Sequence, residues 1–366
     1  MKFKFPGIKI LDRYIIRKFL GTYVFAIALI IVVVVTFDCV EKIDDFIELK
    51  APLSKIAFQY YLNFIPFFIN QFSGLFTFIS VIFFTSKMAY QTEIISILSS
   101  GVSFRRLIWP YMLSAVVITL FSIGLNLWVI PAANQQRSDF EGLYLKKRRN
   151  VKYERHIYRQ IYPGTFAYIR GYSDNTNRAS YLSIESFDGS ALTASLEAAD
   201  VTFDPETKRW SAPRYLTRAF EGEAETFERR ENLDTMINLD AAELGRITDL
   251  IKSLNISDLS EFLVQQRNKG SDMVAMIEVE RQNRFAYPIS AIILTIIGVS
   301  LSSRKVRGGT GFHIGVGIAL CFSYILFSKF AEEFAKGGLL PPVISVWLPN
   351  FIYLFVAVYL YRKAPK

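Results

Sequence analysis

Few residues in this chain have the type and spacing that enzymatic chemistry needs. Two cysteines, Cys39 and Cys321, and two histidines, His156 and His313, are the only residues of their kinds among 366. The cysteines have no metal-ligand spacing, and a structural disulfide between them is not expected. The histidines lie far apart in the sequence, so neither a histidine-based triad nor a His/Cys metal centre is supported. We therefore expect no catalytic residue, no metal and no cofactor.

Glu93 is the charged residue whose position calls for a specific partner. It is the single acid in "AYQTEIISILSSGVSFRRL" (89–107), a stretch with helical periodicity between two long apolar runs. Thr92 is expected to cap this helix, Glu93 lies in its first turn, and Gly101 is a natural C-terminal stop. The apolar side of the helix consists of Ile94, Ile97 and Leu98.

Two interpretations of this segment stay open. In the first, an interfacial helix lies on the membrane surface and keeps its acid in water. In the second, a coupling helix, about residues 89–101, docks in a groove of a cytoplasmic ATPase and pairs Glu93 with a basic residue there. Such a charge-assisted pair would fix the orientation of the helix and pass rigid-body motion to the adjoining spans.

The composition is that of a membrane protein. Apolar residues make up 51% of the chain and the mean hydropathy is +0.26, which excludes most soluble classes. Pro66 lies inside one of the apolar segments and is expected to kink it. Six segments have the roughly 20 apolar residues that a bilayer core requires, and they run over 19–37, 57–86, 107–130, 285–303, 312–331 and 343–361.

The distribution of lysine and arginine predicts the orientation. The N-terminus, the loops 87–106 and 304–311 and the C-terminal tail are basic, whereas the short loop 38–55 is acidic. The positive-inside rule therefore places both termini in the cytoplasm and the large segment after the third span outside.

The large outer segment has the pattern of strands. Stretches such as "ASYLSIESF" and "AADVTF" alternate apolar and polar residues, and "FDGS" and "FDPETKRW" are turn signals between them. This predicts an all-β sandwich, jelly roll or open barrel. Nearer the membrane, "NISDLSEFLVQQRNKG" predicts a helix with Ser257 as its N-cap and Gly270 as its stop.

The glycine-rich run "RGGTGFHIG" (307–315) is not a phosphate-binding loop. It lacks the lysine and the following Ser/Thr of a Walker A motif, and it lies at the start of a span. Loop glycines at a helix start explain it better. The energy for any work that the chain performs must therefore come from elsewhere.

Four stretches, in this order, resemble one family over essentially the whole chain. They are "LDRYIIRKFLGTYVFAIAL", "QTEIISILSSGVS", "VIPAANQQR" and "ERQNRFAYPISAIILTIIGVSLS". The chain resembles the lipopolysaccharide-export permeases, the paired LptF and LptG subunits of an ABC transporter. The family's coupling acid falls on Glu93 and its glycine on Gly101, with Arg284 and Pro288 in the expected places. "LDRY" and "VTFDPETKRW" favour the LptG-like member.

The resemblance implies a transport function in the bacterial inner membrane. The chain would take lipopolysaccharide from this membrane and pass it to a periplasmic β bridge. The implied partners are a second LptF/LptG-type subunit in a heterodimer, a cytoplasmic LptB-like ATPase dimer, a single-span LptC-like accessory subunit and an LptA-like bridge protein, and no nucleic acid. ATP would be hydrolysed by the partner and not by this chain.

The resulting fold class is a membrane α-helical protein with six transmembrane helices, arranged 3+3, and an inserted all-β periplasmic domain, jelly-roll-like in the family. The N-terminal half is 1–131, the β domain with its flanking helical segment is 132–272, and the C-terminal half is 273–366.

Three phenylalanines in the second span are candidates for lipid binding. Phe68, Phe72 and Phe76 lie one helical turn apart on one face. They would line a cavity for acyl chains, in which each buried CH₂ is worth about 0.8 kcal/mol. The alternative is that the rings pack on other helices or on membrane lipid.

The end of the first span departs from the family pattern. LptG-like members carry lysines there that are thought to hold the lipid phosphates, whereas this chain has Asp38, Asp44 and Asp45, with Lys42 as the one nearby base. Acids facing a phosphate would repel it by about 1 kcal/mol or more near a surface. Either Lys42 and the partner subunit hold the phosphate, or the lipid has fewer phosphates, or a divalent cation intervenes, or a gap shifts the loop.

Other classes of protein compete with this interpretation. A lipoprotein-release permease, or a permease for another lipid, is a second transport function, but the lipoprotein type has four spans and its large domain after the first. A membrane scaffold or receptor with an outer protein-binding domain is a different class, and it would not associate with an ATPase.

Overall fold

The computed structural model describes residues 9–145, 157–173, 176–221, 224–237, 247–268, 271, 273–303 and 310–364. The chain divides into two compact units. The first, which we call the membrane unit, consists of Met1–Ile43, Ile56–Asn134 and Glu278–Lys366. The second, which we call the β unit, consists of Asp44–Lys55 and Gln135–Ile277.

Nine helices lie within the described residues. They are α1 (Ile10–Glu48), α2 (Leu53–Tyr90), α3 (Glu93–Ser99), α4 (Phe104–Tyr144), α5 (Ile247–Ser253), α6 (Ile256–Asn268), α7 (Val274–Ser302), α8 (Thr310–Lys336) and α9 (Pro342–Lys363). In this part of the chain, α1, α2, α4, α7, α8 and α9 are long and apolar enough to cross a membrane. The six predicted spans are therefore confirmed as helices.

Two of these helices are longer than predicted. Residues 38–48 were expected to belong to a loop, but α1 continues to Glu48, and α4 likewise continues past residue 130 to Tyr144. In the extension of α1, Lys42 pairs with Asp38 four residues earlier. Opposite charges at this spacing stabilise a helix. The helix α2 has a π-helical turn, Ile56–Tyr61, directly after its first residues, Leu53–Lys55, and is continuous through Pro66.

Glycines let the helices of the membrane unit approach one another closely. A Cβ atom added at Gly298 of α7 would lie 2.8 Å from Val81 Cγ1 of α2, and one at Gly317 of α8 would lie 2.0 Å from Ile82 Cδ1. Phe78 and Ile82 of α2 are buried in the same apolar cluster as side chains of α7, α8 and α9. Membrane helices have little hydrophobic drive to associate in lipid, so close backbone approach at small residues supplies much of the packing.

The β unit contains an antiparallel sheet, as the alternating pattern predicts. Its described strands are β1 (Ile157–Tyr162), β2 (Thr165–Ile169), β3 (Tyr172–Ser173), β4 (Arg178–Asp188), β5 (Ala191–Asp204), β6 (Arg209–Glu221) and β7 (Ala224–Thr235). They follow the order β1-β2-β4-β5-β6-β7, and β3 also pairs with β4. An all-β domain inserted between two sets of three long helices is therefore confirmed.

The turns of the sheet use the residues that the sequence indicated. Gly189, with φ +62°, lies between β4 and β5, a backbone conformation that glycine adopts without strain. Between β5 and β6, Asp204 accepts hydrogen bonds from the backbone N–H of Glu206 and from the Thr207 hydroxyl. One apolar core forms around Trp210, which is fully buried against Phe203 at a ring-centroid distance of 4.9 Å.

The start of α6 corrects one prediction. Ser257 was expected to cap this helix, but the helix begins at Ile256 and Asn255 precedes it. The Asn255 side-chain oxygen accepts a hydrogen bond from the backbone N–H of Asp258 at 2.9 Å, the capping geometry for which asparagine is well suited. Gly270, the predicted stop, lies outside the described residues. Cys39 and Cys321 are both free, as expected.

The glycine packing predicts a position-specific effect on stability. Gly298→Ala places a methyl group against Val81 Cγ1 and Cβ, which lie 2.8 and 3.3 Å from its Cβ position. Overpacking of this kind costs about 1–3 kcal/mol, so the melting temperature of the purified chain in detergent should fall by several degrees. In Gly315→Ala, the matched control on α8, the new Cβ has no atom within 4 Å. Equal melting temperatures for the two variants would contradict this packing.

Candidate functional site

The helix α3 is docked on the membrane unit by its apolar side. Ile94 is 1% exposed, and Ile97 and Leu98 pack partly buried against the same cluster, which contains Ile15 and Phe19 of α1. The opposite side of α3 is open, and Ile95 is 47% exposed there. Ile97, a predicted coupling residue, thus contacts the chain's own core, whereas Ile95 is the exposed apolar residue that sequence periodicity missed.

Glu93 lies at the first turn of α3 and is half-buried. The Tyr14 hydroxyl donates a hydrogen bond to Glu93 Oε2 at 3.2 Å. Among the described residues, no lysine or arginine forms an ion pair with this carboxylate. The side chain is therefore held by a neutral phenol and still carries a charge that a basic partner can meet.

The predicted C-terminal stop of α3 is confirmed, but its predicted N-cap is wrong. Gly101 has φ +87°, and its N–H donates to the Leu98 carbonyl at 3.1 Å, so it ends the helix as predicted. Thr92 does not cap α3. It has φ +63°, and its hydroxyl donates to the Gln91 carbonyl at 2.6 Å. A left-handed backbone turns this hydroxyl away from the first N–H groups of the helix.

A buried ion pair fixes the elements around α3. Arg106 Nη1 and Nη2 donate to Asp12 Oδ1 and Oδ2, each at 2.6 Å, and Asp12 is 2% exposed. The Lys9 backbone N–H adds a third hydrogen bond at 2.8 Å. Bidentate geometry of this kind gives directional strength, so the start of α1 is fastened to the start of α4, immediately after α3.

The three candidate phenylalanines belong to a longer column of rings. We call Tyr60, Phe64, Phe68, Phe72 and Phe76 of α2 the aromatic column. Successive ring centroids along the column are 5.7, 4.2, 6.0 and 6.3 Å apart. Tyr60 and Phe64 were missed although they continue the same four-residue spacing, which was the signal that could have revealed them.

Lys42 lies at the Tyr60 end of the aromatic column. Its Nζ is 4.9 Å from the Tyr60 ring centroid and 5.9 Å from that of Phe64, within range of a cation–π interaction. The ammonium donates to the Tyr60 hydroxyl and to Asp38 Oδ1. The structure thus joins Lys42 and the three phenylalanines, which were predicted separately, into one arrangement.

Asp38 is the direct partner of Lys42. Its side chain is 12% exposed and that of Lys42 is 22% exposed, and the Tyr60 hydroxyl also donates to Asp38 Oδ1 at 3.2 Å. The acid that departs from the family pattern therefore neutralises the one nearby base. Asp44 and Asp45 belong to the β unit.

The arrangement is suited to an amphipathic ligand. The half-buried rings of Phe68, Phe72 and Phe76 offer apolar surface, and Lys42, which lies beside the buried Tyr60 and Phe64, offers a cation for a polar head. No group of three His, Cys, Asp or Glu side chains that could hold a metal occurs within the described ranges, and His156 lies outside them.

Comparison with known proteins places this architecture in one family. The family model described as "Lipopolysaccharide export system permease LptF/LptG" matches residues 13–363. Lipopolysaccharide export system permease protein LptG of Escherichia coli K12 is 19% identical over 364 residues, 97% of this chain and 98% of that protein. The protein of the same name from Haemophilus influenzae is 20% identical over 366 residues, 97% and 99%. An uncharacterized protein of Aquifex aeolicus is 23% identical over 379 residues, 97% and 99%.

The ion pair between Asp12 and Arg106 predicts a loss of stability when one partner is removed and a partial recovery when both are removed. Arg106→Gln leaves the Asp12 carboxylate buried without its cation, which should cost about 2 kcal/mol. The double variant Asp12→Asn/Arg106→Gln removes both charges and should recover part of that loss. Chemical denaturation of the wild type, the single variants Asp12→Asn and Arg106→Gln, and the double variant completes a double-mutant cycle that measures the coupling. Additive effects would mean that the two side chains do not form the pair in the folded protein.

Proposed function

The chain belongs to the lipopolysaccharide export permease family LptF/LptG, and we propose that it works as the LptG-like subunit of the export transporter. It is a multi-pass protein of the bacterial inner membrane with six spanning helices in its described part. Its full-length similarity to two proteins named LptG supports the LptG-like assignment. The following steps concern how this chain holds lipid and receives motion.

The aromatic column is the observation that carries the proposed lipid path. An acyl chain lying along Phe68, Phe72 and Phe76 would gain about 0.8 kcal/mol for each buried CH₂. Lys42 at the end of the column would contact a phosphate of the lipid head, together with groups from the partner subunit. Lipopolysaccharide has both parts, several acyl chains and a charged head, and this supports it over a ligand of a single polarity.

The proposed orientation places α3 in the cytoplasm and the β unit in the periplasm. It is supported, through the positive-inside rule, by basic residues before α1, near the end of α2 (Lys87), at the start of α4 (Arg105 and Arg106), before α8 and at the C-terminal end of the chain. The proposed division remains 1–131, 132–272 and 273–366. Lipid leaving the column would then pass to the β domain and on to a β bridge toward the outer membrane.

The proposed energy source is a cytoplasmic LptB-like ATPase dimer that contacts α3. Glu93 would pair with a basic residue of the ATPase, and the exposed Ile95 would contact an apolar surface next to it. Ile97 would seat α3 on its own membrane unit, and Gly101 would end it. Because α3 is packed on α1 and lies between α2 and α4, a push on α3 would move these helices together.

The remaining partners follow from the family. We propose a heterodimer with a second LptF/LptG-type subunit, a single-span LptC-like accessory subunit and an LptA-like bridge protein. The chain itself has no proposed ATP site and is not proposed to be an enzyme. A scaffold or receptor with the same fold would need neither the column nor the open carboxylate of Glu93.

The coupling role predicts that charge on Glu93 controls recovery of the ATPase. Glu93→Gln keeps a hydrogen-bond acceptor for Tyr14 but removes the charge, so co-purification of the ATPase from detergent-solubilised host membranes should fall at least tenfold. Ser96→Ala on the exposed side of α3 is the matched control and should leave recovery unchanged. Mass spectrometry of the purified material quantifies both. Wild-type recovery with Glu93→Gln would assign α3 to the membrane surface instead.

The column predicts that ring removal weakens lipid retention. Phe72→Ala interrupts the contacts to Phe68 and Phe76, and lipopolysaccharide bound per mole of protein should fall about tenfold, equivalent to about 1.4 kcal/mol. Phe58→Ala is the control, because Phe58 is 67% exposed on the same helix and lies outside the column. Equal retention in both variants would leave the rings with a packing role only.

A further inference from the structure

The membrane unit has a surface groove whose lining residues are separate from the aromatic column. Its volume is about 570 Å³. The residues that line it are Tyr14, Arg17, Lys18, Gly21, Thr22, Phe25 and Phe83. We call it the cation groove. All but Phe83 come from one face of α1, at spacings of three or four residues.

One end of the cation groove carries two unpaired positive charges. Arg17 and Lys18 are exposed, and neither forms an ion pair with any residue that the structure describes. Lys18 Nζ lies 6.0 Å from the centroid of the Tyr14 ring. The acid that faces this end, Glu93, is hydrogen-bonded to the Tyr14 hydroxyl. The two cations are therefore available to an anion from outside the chain.

The other end of the cation groove is apolar and open. Gly21 forms its floor, and a Cβ atom added there would have no atom within 4 Å. The Thr22 hydroxyl is turned to the backbone, where it donates to the Lys18 carbonyl at 2.8 Å. Phe25 and Phe83 are 69% and 54% exposed. A glycine floor beside two exposed rings leaves room for a methylene chain.

We propose that the cation groove binds an anionic phospholipid of the cytoplasmic leaflet. The phosphate contacts Arg17 and Lys18, and one acyl chain runs over Gly21 beside Phe25 and Phe83. Anionic lipid heads attract lysine and arginine at the cytoplasmic surface. A purely apolar helix of another protein in this place would bury two cations without a counterion, which is costly, so charge complementarity favours the lipid. This inference rests on the orientation given under the proposed function.

The position of Tyr14 connects this site to the coupling helix. Tyr14 lines the groove and also donates the hydrogen bond to Glu93. A lipid head at Arg17 and Lys18 packs against the Tyr14 ring and restricts its movement, which holds the Glu93 carboxylate in one position. Anionic lipid therefore favours the arrangement in which α3 is ready for its partner, without contacting the transported lipid.

The experiment compares the intact transporter complex in bilayer nanodiscs of phosphatidylcholine with and without phosphatidylglycerol. Native mass spectrometry counts retained phosphatidylglycerol, and ATPase activity is measured in parallel. Arg17→Gln and Lys18→Gln should each lower retained phosphatidylglycerol roughly fivefold. Gly21→Leu, whose Cβ has no atom within 4 Å, places a branched side chain in the groove and should displace the lipid while both cations remain. Gly315→Leu, whose Cβ also has no atom within 4 Å, is the matched control.

The outcomes separate this inference from the proposed function. The inference is supported when Gly21→Leu loses bound phosphatidylglycerol but retains lipopolysaccharide. In that variant, phosphatidylglycerol should also no longer change the ATPase activity. Wild-type retention of phosphatidylglycerol in Gly21→Leu, Arg17→Gln and Lys18→Gln overturns the inference. A cross-link from Phe25→Cys to another protein also overturns it. Loss of lipopolysaccharide instead of phosphatidylglycerol also overturns it. Labelling of Lys18→Cys from the periplasmic side by an impermeant maleimide overturns the orientation, and with it both proposals.

Discussion

The close approach of α7 and α8 to α2 is the constraint on which the rest of the membrane unit depends. At Gly298 and Gly317 there is no space for a side chain, because Val81 and Ile82 of α2 occupy it. In lipid, where apolar surface alone gives little drive for association, this fit determines which face of α2 is covered. The aromatic column lies on the same helix, and α3 follows its end. The packing at two glycines thus fixes α2, the helix that bears the aromatic column and leads into α3.

The two ends of α1 show how the chain places charge next to a membrane. Near its start, Asp12 is paired with Arg106, and near its other end, Asp38 is paired with Lys42. A buried charge without a partner would cost several kcal/mol, so each acid has its cation within hydrogen-bond distance. By contrast, Arg17, Lys18 and Glu93 have no ion-pair partner in the described part of the chain. These three charges lie at the surface where we propose that other molecules bind.

Local patterns explain how much was predictable. Runs of apolar residues predicted six spans, alternation predicted the sheet, and a four-residue spacing predicted that Phe68, Phe72 and Phe76 share one face of a helix. The features that were not predicted depend on local backbone conformation or on contacts between residues far apart in the sequence. Asn255 in place of Ser257 at the start of α6, and Thr92 in a left-handed conformation, are choices between neighbouring residues with similar propensity. The pairing of Asp12 with Arg106 joins residues 94 positions apart, which no local pattern reveals.

Asp38 illustrates why a departure from a family pattern needs its structural context. From the sequence, an acid near the site of a lipid phosphate implies repulsion. In the structure, the Lys42 ammonium donates to both Asp38 and Tyr60, so the carboxylate neutralises the base. Removing the acid would leave Lys42 partly buried beside aromatic rings without a counterion.

Lys42 donates to Asp38 and Tyr60 and has a third N–H donor. Under the proposed function, a phosphate at this donor would be repelled by the nearby Asp38 carboxylate, so its binding energy would be smaller than that of an isolated ion pair. A weaker contact of this kind suits a transporter, which has to release its lipid as well as hold it, because a tightly held phosphate would slow every cycle.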